Sequence, residues 1–158
     1  MDIYEIIQNM TTAVAEDDDV RSFSTITYGH ECTVMENMDA REPPLPEECP
    51  IVIFFPVSKQ TGTASLQKVF IVGVSVLVYD DSKPVDIENV TSFTGGRTVE
   101  TLRRLILAAI LNALKSLTVL HLEKVDMDYN PIDQYPYNDI AMELTITAEQ
   151  VIGGDFYE

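Results

Sequence analysis

Residues 98–115 read TVETLRRLILAAILNALK and residues 69–79 read VFIVGVSVLVY, and these two stretches decide the fold. In the first, Val99, Leu102, Ile106, Ala109, Ile110, Ala113 and Leu117 recur at three- and four-residue steps, which is one stripe of an α-helix. Leu105, Leu107, Leu111 and Leu114 widen that stripe until the helix is apolar nearly all round. Such a helix needs cover on more than one side. A sheet covers only one, so the first helix or another subunit must take the rest. Gly95-Gly96 reads as the turn before it and Thr98 as its cap.

In the second stretch, Phe70, Val72, Val74, Val76 and Val78 share one face of a strand, while Ile71, Gly73, Ser75 and Leu77 share a smaller, more polar one. The apolar run Ile51 to Val57 suits a buried strand and is expected to pair with it as a hairpin. Between them Ser58 to Lys68 reads as a polar tip that projects beyond the sheet. Val119 to about Tyr129 is a further strand whose alternation breaks at Glu123-Lys124. Ile140, Met142, Leu144, Ile146 and Ala148 alternate with polar residues, the pattern of a strand with one buried face.

Ahead of this core, Ile3, Ile6, Ile7, Met10 and Val14 predict an amphipathic helix from residue 2 to about 16, with Asp2 at its start. The acidic run Glu16 to Asp19 should end that helix in a solvated turn, because carboxylates oppose the macrodipole at a helix C-terminus. Residues 23–29, rich in β-branched and aromatic side chains, are read as a strand. Residues 31–50 carry Pro43, Pro44, Pro46 and Pro50 among six acidic residues and are read as a long loop. Residues 80–97 and 130–137 are read as polar connections. The expectation is one α+β domain over residues 1–158, a mostly antiparallel sheet of four or five strands against two helices.

The chain has 26 acidic and 10 basic side chains, a formal charge of −16. That balance opposes a broad grip on nucleic-acid phosphates but suits a surface that DNA passes without sticking. No apolar run reaches the length of a membrane span, and the first residues lack the basic-then-apolar order of a secretory signal, so the cytoplasm is the expected compartment. Cys32 and Cys49 form no disulfide framework and are read as free thiols, ahead of a bridge or a metal site.

No pattern nominates a catalytic group. Asp17, Asp18 and Asp19 lack the alternating ligands and glycine of a Ca²⁺ loop. His30-Glu31-Cys32 is too compact to converge on one metal, and His121 belongs on the polar face of its strand. No Ser or Cys has an evident base and oxyanion hole. Gly95-Gly96-Arg97-Thr98 before a helix offers backbone amides to an anion but lacks P-loop spacing, so a turn with a cap is preferred. Arg103 and Arg104 either reinforce an anion site or pair with carboxylates of a neighbouring chain, and abundant acidic partners favour the latter. Tyr129, Tyr135 and Tyr137 beside Pro131 and Pro136 lack the basic residues of a stacking platform and read as packing or interface anchors.

The opening helix Ile3 to Val14, the loop through Pro43-Pro44-Leu45-Pro46 into Cys49-Pro50-Ile51-Val52-Ile53, the strand Val69 to Tyr79, the helix Thr98 to Lys115 and the final strand Ile140 to Ala148 together resemble the tail-terminator or tail-completion proteins of tailed bacteriophages, prophages and phage-like particles. The resemblance covers nearly the whole chain and is one of pattern and length. It implies an α+β subunit that forms a ring, commonly a hexamer, capping the tail tube and joining it to the head or neck. It also implies no catalysis and no cofactor, tail-tube and connector proteins as partners, and a passage for DNA without specific binding. The expected location is the host cytoplasm during assembly and then the virion tail.

A ring needs two different complementary patches per subunit. The candidates are the hairpin tip around Gly62 to Leu66, the loop from Ile87 to Phe93, and Arg97, Arg103 and Arg104 facing acidic residues of the next copy. The alternative is a small-ligand-binding or regulatory α+β domain with a pocket between sheet and helices. A metal-dependent hydrolase using the carboxylates of residues 16–19 comes third.

Overall fold

In the computed structural model, which describes residues 1–39, 41–61, 67–129 and 135–149, a five-stranded sheet carries helices on one face. The helices are α1 (Ile3–Glu16), α2 (Asp18–Tyr28) and α3 (Gly95–Ser116). The sheet is built from β1 (Thr33–Glu36), β2 (Ile51–Thr61), β3 (Gln67–Tyr79), β6 (Leu120–Tyr129) and β7 (Tyr137–Glu149), in the order β1-β2-β3-β7-β6. Only the β1–β2 pair is parallel. A separate hairpin, β4 (Val85–Ile87) with β5 (Val90–Ser92), lies between β3 and α3. The expected α+β class and mostly antiparallel sheet are those observed.

The sequence patterns explain the core. Asp2 caps α1 through a reciprocal pair, its Oδ1 accepting from the Glu5 amide at 2.9 Å while Glu5 Oε2 accepts from the Asp2 amide at 2.7 Å. Ile6, Ile7, Met10 and Val14 of α1 pack with the inward residues Phe70 to Val78 of β3 and Ile140 to Ala148 of β7. On α3, Val99, Leu102, Ile106, Ala109, Ile110 and Leu114 are buried, and Leu105, Leu107 and Leu117 are half-buried against the same core. The sheet takes one side of α3, and α1 and α2 take others. Cover for the nearly all-apolar helix is thus found inside the chain, and α3 by itself makes no demand for a neighbouring subunit.

Several expectations are corrected. Residues 23–28 are not a strand but the second half of α2, and residue 29 is its C-cap. Asp17, expected in a solvated turn, is the N-cap of that helix, accepting from the Asp19 and Val20 amides. Asp18 and Asp19 sit in its first turn, where the macrodipole favours them, and Gly29 closes it at φ 87°. The described residues thus hold three helices, of which α1 and α3 lie on the sheet, as expected of two helices, and α2 packs on them. Within 31–50 a four-residue edge strand, β1, forms because β2 offers it a parallel partner. Ser58 to Thr61 and Gln67 to Lys68 are strand rather than tip, since β7 pairs with β3 out to Gln67 and holds the arm in the sheet.

The expected cap of α3 is also displaced. The helix begins at Gly95 with Thr94 at the N-cap position, and Thr98 lies inside its first turn, donating its hydroxyl to the Gly95 carbonyl at 2.9 Å. Position 95 needs glycine because a Cβ there would meet the Asn138 side chain and Asp80.

The other sheet face is bare of helices. At the β1–β2 end it is covered by the proline-rich loop, with Cys49, Ile51, Ile53 and Phe55 packed beside Met35, Leu77, Tyr79 and Tyr137. Towards β6 it turns polar, placing Glu143 opposite Asp126 and Ala141 opposite Asp128.

Candidate assembly interface

Of the residues expected at an interface, Gly62 and Leu66 lie outside the described residues. The structure brings Ile87, Phe93 and Arg97 to one end of the molecule. The β4–β5 hairpin turns through Glu88 at φ 54° and buries neither of its faces. Val85, Ile87, Val90 and Phe93 are 47%, 68%, 61% and 53% exposed. Phe93 makes an edge-on ring contact with Tyr135 at 5.2 Å between centroids, and Tyr135 is itself 53% exposed. The Tyr135 hydroxyl donates to the Ser82 carbonyl at 3.3 Å, which ties the ring to the segment leading into the hairpin.

The base of the hairpin is fixed by Asp80. Its carboxylate accepts from the Ser82 amide at 2.9 Å and the Thr94 hydroxyl at 3.0 Å, and Thr94 shares a 3.1 Å contact with the Ser82 hydroxyl. Burial pushes the Asp80 pKa up, but these hydrogen bonds outweigh it and hold the group below its ordinary value. An internal carboxylate therefore already lies at the start of α3, where an external anion was considered.

Arg103 and Arg104 are both engaged within the chain, on Glu100. Arg103 is 95% buried by its 5% exposure, and its Nε and Nη2 grip both oxygens of Glu100 at 2.9 and 2.7 Å. Arg104 Nε donates to Glu100 Oε1 at 3.1 Å, and the Tyr129 hydroxyl donates to Glu100 Oε2 at 3.3 Å. The Arg103 hydrogen bonds, set against the cost of burial and aided by the Arg103 charge and by hydrogen bonds from Arg104 and Tyr129, pull the Glu100 pKa down to about 2. Helical spacing explains the assembly: Glu100, Arg103 and Arg104 stand three and four residues apart on α3. This i,i+3/i,i+4 signal was present in the sequence and points inward to a neighbour on the same helix. Arg97 alone of the three arginines is exposed without a side-chain partner among the described residues.

The cysteines are free. Cys32 packs on the helix-side core and Cys49 on the opposite face of the sheet, a consequence of their one-residue offset at the adjacent starts of β1 and β2. Burial lifts their thiols to about 12 and about 11. Among the described residues no group of three His, Cys, Asp or Glu side chains is placed to hold a metal, and no helix is long and apolar enough to cross a membrane.

Two features escape the sequence reading. Ile26, assigned to a strand, is 85% exposed on α2. A cavity of about 550 Å³ lies under the proline-rich loop, lined by Met35, Met38, Leu45, Ile51, Glu42 and Glu48 among others. It sits on the bare side of the sheet rather than between sheet and helices. No protein-family model matches this chain, and no curated protein sequence matches it.

Proposed function

We propose that this chain is a structural subunit of a phage or phage-like tail, assembling into a ring that caps the tail tube and joins it to the head or neck. The observation that supports the reading best is the apolar hairpin. Ile87, Val90 and Phe93 stand exposed together with Tyr135, and a contiguous apolar patch rimmed by polar residues is the signature of a surface covered by a partner. The order of helix, proline-rich loop, strands, apolar helix and final strand agrees with the tail-terminator pattern.

On this reading the partners are further copies of the chain, a hexamer being favoured, together with tube and neck proteins. The acidic half of the bare sheet face, with Glu143, Asp126 and Asp128, suits a passage whose wall repels DNA and leaves it few places to stop. The role is structural and calls for no catalytic group or cofactor. Electron microscopy of the purified protein, with and without its tail-tube protein, tests it. Closed rings that dock on tube ends are expected, and a monomer that ignores the tube removes the reading.

The cavity near Met35 and Met38 favours a second reading, a small-ligand-binding or regulatory domain, because its volume of about 550 Å³ is in the range of small-molecule sites. Thermal stabilisation by a metabolite, lost on filling the cavity with Leu45→Trp, would support it over the ring.

A further inference from the structure

We propose that copies of this chain associate head to tail through Arg97 of one copy and the polar hollow beside Glu16 of the next. The inference rests on the ring reading and assigns its contact. Arg97 stands exposed at the start of α3, next to the apolar hairpin, with no side-chain partner among the described residues. At the far end of the same helix, Ala113 and Ser116 form a hollow of about 380 Å³ with Gln8, Asn9, Thr12 and Glu16 of α1.

The hollow is built to receive a cation. Glu16 is exposed and makes no ion pair among the described residues, and the last turn of α1 has no basic residue to offset the negative end of its dipole. Asp17 is already used as the N-cap of α2, and Glu16 is the carboxylate of this acidic run that lines the hollow. Asn9 spends its amide on the Glu5 carbonyl at 2.7 Å, which leaves its side-chain oxygen as an acceptor. Arg97 and the hollow are separated by sixteen to nineteen residues of one helix, about 25 Å at helical rise, beyond the reach of any side chain. The two charges cannot meet within a chain. They meet between copies, and because the patches differ and lie at opposite ends, the contact is heterologous, the kind that closes into rings.

Sedimentation velocity on the full chain tests the contact with R97E, E16K, the double variant R97E/E16K and the milder R97A and E16Q. Thermal melts confirm folding, and both sites are on the surface. Single reversals are expected to weaken association by about tenfold or more, with the neutral variants between them and wild type, and the double variant returning towards wild type. Folded single variants that associate like wild type overturn the contact while leaving the ring intact. A folded double variant that fails to recover also overturns it. A wild-type chain that stays monomeric overturns the ring reading, and the contact with it.

Discussion

Glu100 joins the side chains of Arg103, Arg104 and Tyr129, and its loss should be felt as stability. Glu100→Gln leaves the buried Arg103 guanidinium without its counter-charge, and Arg103 Nη1 already has no hydrogen-bond partner. The expected cost is about 2 kcal/mol, or a Tm lower by roughly 4–8 °C. Because the folded pKa of Glu100 is depressed from 4.5 to about 2, its contribution is complete above the ordinary value and fades as pH falls through that window. Thermal melts of wild type and variant should therefore converge towards pH 2. Asp139 has the opposite sign: burial, then the nearby Asp128, raises its pKa, and its Oδ1 is buried without a partner. Stability is lost as pH rises through that raised value, so Asp139→Asn should raise the Tm at pH 7 and lose its advantage below about the ordinary carboxylate range. Cys32 and Cys49, protonated at neutral pH, should react with a thiol reagent only slowly until the chain unfolds.

At the scale of elements, Gly73 lies opposite Phe55 across the β2–β3 pair, and the Phe55 ring occupies the space where a Cβ would go. Gly73→Val should displace that ring and cost about 1–3 kcal/mol, read as a lower denaturation midpoint. How far such elements are legible in sequence depends on where their pattern comes from. Strand β7 and helix α3 announce themselves because one face is buried and the periodicity is uninterrupted. Helix α2 reads as a strand because Phe23, Thr25, Ile26, Thr27 and Tyr28 have strand propensity, while Asp17 and Gly29, the residues that bound the helix, carry the opposing signal. Capping, together with packing on α1 and α3, overrides that propensity. Strand β1 has no pattern of its own to read, since its existence depends on the edge offered by β2. For the candidate interface, exposed apolar residues of the Ile87–Phe93 segment were foreseeable from a polar connection carrying them. The inward pairing of Arg103 is legible in its three-residue distance to Glu100.

At the scale of the molecule, a −16 chain that also displays an apolar hairpin balances repulsion against association. Low salt should hold copies apart through net charge while strengthening the Arg97–Glu16 contact, so the account is best separated by mutation rather than salt alone. Replacing the patch, as in Ile87→Ser with Phe93→Ser, removes apolar area from the same end and should weaken association without lowering the Tm by more than a degree or two, since neither side chain is in the core. The measurement that bears most directly on the central claim is the mass of the purified full chain in solution across a concentration series. The account predicts one discrete closed species, favoured at six times the 17.7 kDa chain mass, appearing as rings by electron microscopy. A chain that remains at its single mass at the highest concentration would contradict it.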